Sequence, residues 1–278
     1  YDMHYAAPPS QLQEDVKIIH LDVDIAKKGV PLWNHPPDIA ITSDSRLAIP
    51  VLTGVIRDMK SPSDIVKIEE RTKKYADEHE KLDAEWLKTA SNHSSRKPIS
   101  AHWLSRCIDE VIDDDTLIVN QTISPSSIVA HQVHRSQPGS LLSCAGGCIG
   151  WAPGAALGAK LGAPDRTVVS LMGDGAFIYG CPEASLWSAS FYHAPYLAII
   201  YNNQGYGAIK GLFRERYDVD NMGADIANPP DYAGIAKACH AHGVTVKEPA
   251  DVIPALKECL REVKNGRPAV LDVWIDPV

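Results

Sequence analysis

The residues best suited to chemistry lie between Val168 and Lys210, in VVSLMGDGAFIYGCPEASLWSASFYHAPYLAIIYNNQGYGAIK. Asp174 offers a carboxylate oxygen, Asn203 an amide oxygen, and the Gly205 region a free backbone carbonyl. These are hard donors of the kind magnesium takes, and magnesium usually leaves further places to phosphates and water. Gly173 and Gly175 let backbone N–H groups approach a phosphate, and the N-terminus of a following helix favours its charge. The two turns together therefore read as a metal–diphosphate site. A lone Gly-Asp-Gly is an ordinary tight turn in most sequences. Specificity comes from the order: strand, Gly-Asp-Gly, helix, strand, Asn-Asn.

The elements that must position these residues are legible around them. Val168–Met172 is a short apolar run, as a buried parallel strand requires, and Tyr196–Tyr201 is a second. Between them a helix is expected from about Glu183 to Tyr192, with Pro182 near its first turn. Glu183 itself reads as a first-turn acid stabilised by the helix dipole. A right-handed βαβ unit puts both turns at the carboxyl ends of parallel strands, where open α/β sheets bind ligands.

Elsewhere the same alternation recurs. Helices are expected at Ala101–Ile112, Ser126–Arg135, around Leu157–Leu161, at Tyr232–His242 and at Val252–Lys264; strands at Leu117–Val119 and Ala269–Ile275. This predicts a doubly wound parallel α/β sheet over residues 98–278. Residues 61–97 are charged with alternating sign, behind Ser-Pro-Ser-Asp, and read as an exposed helical linker. Residues 1–60 hold a buried strand at Val16–Val23, a short strand at Ile39–Ile41 and a helix at Ile49–Met59, the pattern of part of a Rossmann-like domain. Two strands do not make a stable parallel sheet, so the preceding strands are expected from an N-terminal portion or a separate polypeptide.

The chain has 278 residues, 45% of them hydrophobic, and a net charge of −8, so a sizeable core is expected and a nucleic-acid partner is not. No apolar run of membrane-spanning length occurs, and the first residues lack the basic start and apolar stretch of a signal peptide. Six cysteines in a chain this long do not form a disulfide framework. Cys144 and Cys148 read as reduced core residues, fitting the cytoplasm or an organelle matrix. His131, His134 and His193 read as surface or core histidines, and His240 and His242 as a helix end.

Gly-Asp-Gly followed after about thirty residues by Asn-Asn resembles the cofactor motif of thiamine-diphosphate-dependent enzymes. The resemblance implies that Asp174, Asn203 and the Gly205 carbonyl hold magnesium (Mg2+) against the diphosphate, with Gly173, Gly175, Ala176, Tyr206 and Gly207 beside the cofactor. A second stretch, Ser143–Ala159, is rich in Gly and Ala; alone it reads equally well as a helix-packing segment. Gly147-Cys148-Ile149 is similar to the family's glycine, spacer, bulky aliphatic pattern. By that likeness the Gly147 carbonyl accepts from the aminopyrimidine, and Ile149 wedges between the rings and enforces the cofactor's bend, so that the 4′-nitrogen takes the thiazolium C2 proton.

Within the family, Leu117–Leu157, Leu186–Pro195 and the final Asp276-Pro277-Val278 resemble the benzoylformate decarboxylase branch. Tyr1–Tyr5 resembles the segment carrying one of that branch's active-site histidines; His4 falls on it, and reads otherwise as a surface histidine. There are departures. Ile123-Ser124 stands for Thr-Ser near the diphosphate, leaving Ser124 to bond a phosphate oxygen. The segment after Gly-Asp-Gly is about two residues longer, as in acetolactate-synthase-like proteins. Ile209 and Leu212 fall on pocket-lining positions, with Leu212 replacing an aromatic wall. No stretch resembles the N-terminal pyrimidine-binding domain, which supplies the family's catalytic glutamate from a neighbouring subunit.

The resemblance implies a lyase that decarboxylates a 2-oxo acid, or ligates the acyl unit to an aldehyde or second oxo acid, as a homodimer or tetramer. The alternatives are acetolactate-synthase-like carboligation, in which a structural flavin (FAD) is compatible though no stretch indicates one, and a catalytically silent cofactor-binding regulatory module.

Overall fold

A computed structural model describes residues 15–25, 37–144, 147–219 and 222–277. Internal contacts divide the chain into two units, one ending at Glu80 and the other beginning at Lys81.

In the first unit, β1 (Ile19–Asp22) and β2 (Ile39–Thr42) pair in parallel, Ile19 opposite Ile39 and Asp22 opposite Thr42. α1 (Ser45–Met59) follows, capped by Asp44, whose carboxylate accepts from Arg46 N at 2.8 Å. The cap starts the helix before the apolar stripe that marks it from Ile49. The expectation of a buried strand at Val16–Val23 is not met: Ile19 is 60% exposed, and no residue of α1 is buried. Two strands and one helix cannot cover both faces of a parallel sheet. α2 (Pro62–Asn92) is one 31-residue helix, and the division between the units falls within it, after Glu80. Ser61 and Asp64 cap it reciprocally: Asp64 N donates to Ser61 Oγ at 3.2 Å and Ser61 N to Asp64 Oδ2 at 3.0 Å. Only Ala90 of this helix is buried.

The second unit runs through α3 (Ala101–Val111), β3 (Leu117–Gln121), α4 (Ser126–Gln132), β4 (Leu141–Ser143), α5 (Trp151–Gly162), β5 (Val168–Gly173), α6 (Asp174–Tyr179) and α7 (Pro182–Phe191). It continues with β6 (Leu197–Asn202), α8 (Gly207–Tyr217), α9 (Tyr232–Ala238), β7 (His242–Val246), α10 (Val252–Lys264) and β8 (Ala269–Trp274). The strands form one parallel sheet in the order β4-β3-β5-β6-β8-β7. The central strands are buried on both faces, with a period of two. Val169, Leu171, Ile199 and Leu271 pack against Leu104 and Ile108 of α3 and Leu256 and Cys259 of α10. Val168, Met172, Ala198 and Ile200 pack against Ala152 and Ala156 of α5, Leu186 of α7 and Tyr232 of α9. This is the doubly wound α/β layer structure expected for residues 98–278.

Some expectations change. The helix expected to run to His242 stops at Ala238; His240 turns the chain with φ 65°, and His242 begins β7 opposite Ala269. Cys148 is exposed and Cys144 half-buried, so neither is a core residue; Cys107, Cys239 and Cys259 are the buried ones. Among the described residues, no helix is long and apolar enough to cross a membrane.

The chain passes from β3 to β4 on one side, then returns to place β5 on the other side of β3. Such a reversal opens a crevice beyond the carboxyl ends of the two strands. Those ends here carry Asn120-Gln121-Thr122 and Gly173-Asp174.

Candidate cofactor site

Asp174 opens α6 directly after β5 and is 1% exposed. The helix nearest the diphosphate motif is thus the six-residue α6, with the longer α7 one turn further on. Asp174 Oδ1 accepts from Gly175 N at 2.9 Å and Oδ2 from Gly205 N at 3.0 Å. Burial pushes its carboxyl up to about 6, against the pull of the backbone N–H groups of Gly175, Gly205 and Gln204. A bound cation would offset the desolvation that dominates here.

Asn203 supplies the second donor. One terminal atom of its carboxamide lies 2.7 Å from Gly205 O and 3.3 Å from Asp174 Oδ1. With nitrogen there, it donates to both. With oxygen there, three oxygens face one another, which a cation between them would stabilise. In an octahedron with magnesium–oxygen bonds near 2.1 Å, adjacent oxygens stand about 3.0 Å apart. The two gaps bracket that spacing, so with oxygen facing inward the donor set fits a small hard cation. Among the described residues, no three His, Cys, Asp or Glu side chains come together as an alternative metal group.

The two adjacent asparagines do different work. Asn202 is buried; its Nδ2 donates to Asp272 Oδ1 at 2.9 Å and its Oδ1 accepts from Gln204 N at 3.2 Å. Asp272 on β8 also accepts from Trp274 Nε1 at 3.2 Å and Thr245 Oγ1 at 3.4 Å, and burial pushes its carboxyl up. Asn202 therefore anchors the turn from beneath while Asn203 faces Asp174. Gln204, at φ 57°, carries the chain over, and residues 224–226 pin the turn: Tyr206 N donates to Ala224 O at 2.8 Å and Ile226 N to Gln204 O at 3.0 Å. Lys210 of α8 pairs with Asp225 of this segment.

Gly175 and Tyr206 are in contact. A Cβ on Gly175 would lie 2.3 Å from Tyr206 Cε1, so the ring fits only because that side chain is absent. Ala176 is buried behind them, and Gly207 opens α8. Ile209 is exposed and Leu212 half-buried on the same helix. Ser124 is half-buried in the turn that follows β3. Gly147, at φ 65°, has open space where a Cβ would stand, and Ile149 packs half-buried against the α5 side of the core. His4 lies outside the described residues. His131 stacks on Trp86 with ring centroids 4.3 Å apart, His134 pairs with Asp109, and Glu183 is exposed in the first turn of α7; none joins this cluster.

Two supporting residues carry no motif. Asp272 is one; its anchoring of Asn202 spans 70 residues. Gln121 is the other. It stands in the Asn-Gln-Thr run at the carboxyl end of β3, and only its position at the crevice marks it out. Its Nε2 donates to Cys148 O and its Oε1 accepts from Ala152 N at 2.9 Å.

Comparison with known proteins identifies the family. Residues 123–273, more than half of the chain, match the family described as thiamine pyrophosphate enzyme, C-terminal TPP binding domain. The chain is 26% identical over 278 residues to a probable acetolactate synthase large subunit of Methanococcus aeolicus, covering 95% of this chain and 43% of that protein. It is 29% identical over 176 residues to benzoylformate decarboxylase of Pseudomonas aeruginosa, covering 63% of this chain and 32% of that protein. The solved thiamine diphosphate-dependent 4-hydroxybenzoylformate decarboxylase of Rhodococcus jostii superposes with a TM-score of 0.61 at 30% identity, over 65% of this chain and 33% of that one. The chain thus spans less than half the length of these relatives. The Gly-Asp-Gly and Asn-Asn turns sit inside the matched residues, and the chain belongs to the thiamine pyrophosphate enzymes, of which it carries the C-terminal cofactor-binding domain.

Proposed function

We propose that this chain is the diphosphate-binding half of a magnesium-dependent enzyme that decarboxylates a 2-oxo acid, or ligates the resulting acyl unit to an aldehyde or second oxo acid. The observation that carries the reading is the convergence of Asp174 Oδ1, the Asn203 carboxamide and Gly205 O at the ends of β5 and β6. In this reading these three hold the cation. Gly173, Gly175 and Ala176 present backbone to the phosphates, with Tyr206 and Gly207 beside them, and Ser124 bonds a phosphate oxygen. The Gly147 carbonyl accepts from the aminopyrimidine, and Ile149 supports the bend between the rings. Ile209 and Leu212 face the acyl group. The cofactor, when bound, supplies the electron sink for the broken carbon–carbon bond. Residues 98–278 form the cofactor domain, 61–97 the linker and 1–60 part of a central domain. An N-terminal pyrimidine-binding domain or chain supplies the glutamate, in a dimer or tetramer of the cytoplasm or an organelle matrix.

Acetolactate-synthase-like carboligation is the second reading. One observation favours it: the likeness to the probable acetolactate synthase large subunit extends over 95% of the chain, against 63% for benzoylformate decarboxylase.

The test is calorimetric titration of the purified chain with thiamine diphosphate, with and without magnesium. Magnesium-dependent binding is expected. A chain that binds no cofactor under either condition would overturn the reading. The product formed from pyruvate and from benzoylformate, after adding a polypeptide that carries the pyrimidine-binding domain, then separates ligase from decarboxylase: a joined hydroxy ketone or hydroxy-oxo acid for the first, a free aldehyde for the second. No turnover of either would leave a silent binding module.

A further inference from the structure

Gln121 ends β3 and is 7% exposed. Its carboxamide holds two backbone groups four residues apart. It donates to Cys148 O within the turn 147–150 and accepts from Ala152 N in the first turn of α5. A carboxamide donates and accepts at once; a carboxylate only accepts, and an aliphatic chain does neither.

The turn is gripped from a second side by backbone. Gly150 sits at φ 82°, and a Cβ there would lie 2.8 Å from Gly180 Cα. A Cβ on Gly180 would in turn lie 2.8 Å from Gly150 O. The turn is therefore fixed between the end of β3 and the end of α6, while Gly147 keeps open space before it. This device is separate from the ends of β5 and β6, where the metal donors converge.

We infer that Gln121 is a positioning residue for the ring half of the cofactor: it fixes the turn that presents Gly147 and Ile149, and leaves the diphosphate half untouched. The inference rests on the cofactor reading proposed above.

The test is calorimetry on the full chain with two probes, magnesium thiamine diphosphate and magnesium pyrophosphate. The second probe has the diphosphate alone. In Gln121→Leu, affinity for thiamine diphosphate is expected to fall about tenfold or more, the scale of losing one to two hydrogen bonds, while pyrophosphate affinity stays within about twofold. Gln121→Glu adds a signature that packing alone would not give. Its carboxylate still accepts from Ala152 N but repels Cys148 O. Its thiamine diphosphate affinity, relative to the unsubstituted chain at the same pH, should be low at alkaline pH and recover as the carboxyl protonates. If Gln121→Leu does not fold, Gln121→Glu, close to it in volume, carries the test alone. Equal loss of both probes, or loss of neither, would overturn the inference. An unsubstituted chain that binds pyrophosphate but not thiamine diphosphate would also overturn it. Binding of neither probe by the unsubstituted chain would instead remove the cofactor reading itself.

Discussion

The Asp174 carboxylate and the Gly205 N–H meet at 3.0 Å across 31 residues of sequence, tying the end of β5 to the end of β6. The other carboxylate oxygen, Oδ1, accepts from Gly175 N and lies 3.3 Å from the Asn203 carboxamide. One side chain thus shapes the turn and presents a donor. Asp174→Ala should abolish magnesium-dependent cofactor binding, measured by calorimetry. It should also change stability by about 1–3 kcal/mol, since two N–H groups lose their acceptor while a buried charge is removed. Undiminished binding would mean that the Gly-Asp-Gly turn is structural only.

The same carboxyl should leave a mark on stability against pH. Its folded value is raised, from 3.8 to about 6. The folded state therefore holds this proton more tightly than the unfolded chain. That contribution is present in full below pH 3.8, fades as pH rises to about 6, and is absent above. It amounts to about 3 kcal/mol. Urea unfolding of the cofactor-free chain should show this pH-dependent part, and Asp174→Asn should remove it. Added magnesium should restore stability to the unsubstituted chain at neutral pH and not to the variant. A variant with the same pH dependence as its parent would rule out Asp174 as the source.

Gly175 and Tyr206 offer a steric test. A methyl group at 175 would stand 2.3 Å from the Tyr206 ring, so the ring must move and carry the pinned turn with it. Gly175→Ala should lower stability by about 1–3 kcal/mol and weaken cofactor binding. The double variant Gly175→Ala, Tyr206→Ala removes the clash, so its unfolding free energy should exceed the additive expectation. Strict additivity would show that the two positions do not compete for space.

How much of this was legible in sequence follows from what each feature depends on. β5 and β6 are largely apolar strands, with Ser170 the one polar residue inside either, and burial on both faces requires that pattern wherever they lie in the sheet. The donors of the turn announced themselves as hard oxygens beside glycines. α6 did not, because a six-residue helix beginning Asp-Gly-Ala has little intrinsic propensity and forms where the end of β5 places it. β7 reads HGVTV, with no apolar run, and exists because Ala269–Val273 of β8 supplies its partners. The strand Val16–Val23 reads as buried from its own residues, yet burial depends on neighbours that two strands do not provide. Gln121 and Asp272 are invisible to local pattern for the same reason: Cys148 and Ala152, and Asn202, the groups they hold, are 27 to 70 residues away.

The adjacent asparagines should separate stability from binding. Asn202 is fully buried and donates to Asp272, itself 3% exposed and already held above the usual carboxylate range by burial. Asn202→Ala removes that donor and leaves a buried carboxylate short of one hydrogen bond, a loss of about 1–3 kcal/mol. Asn203 is half-buried, and one end of its carboxamide faces the oxygens of Asp174 and Gly205. In Asn203→Ala the cofactor-free chain should lose about 1 kcal/mol or less, from its half-buried contacts to Gly205 O and Asp174 Oδ1, while magnesium affinity falls by about tenfold or more, as expected for loss of one of few protein donors to the ion. Thermal unfolding of both variants, with and without magnesium and thiamine diphosphate, measures the two quantities together. For Asn202→Ala the midpoint should drop with the ligand-induced rise largely kept; for Asn203→Ala the midpoint should drop less, with the rise lost. The reverse pattern would assign the metal donor to Asn202 and would require the turn to pass Asp174 with its other face.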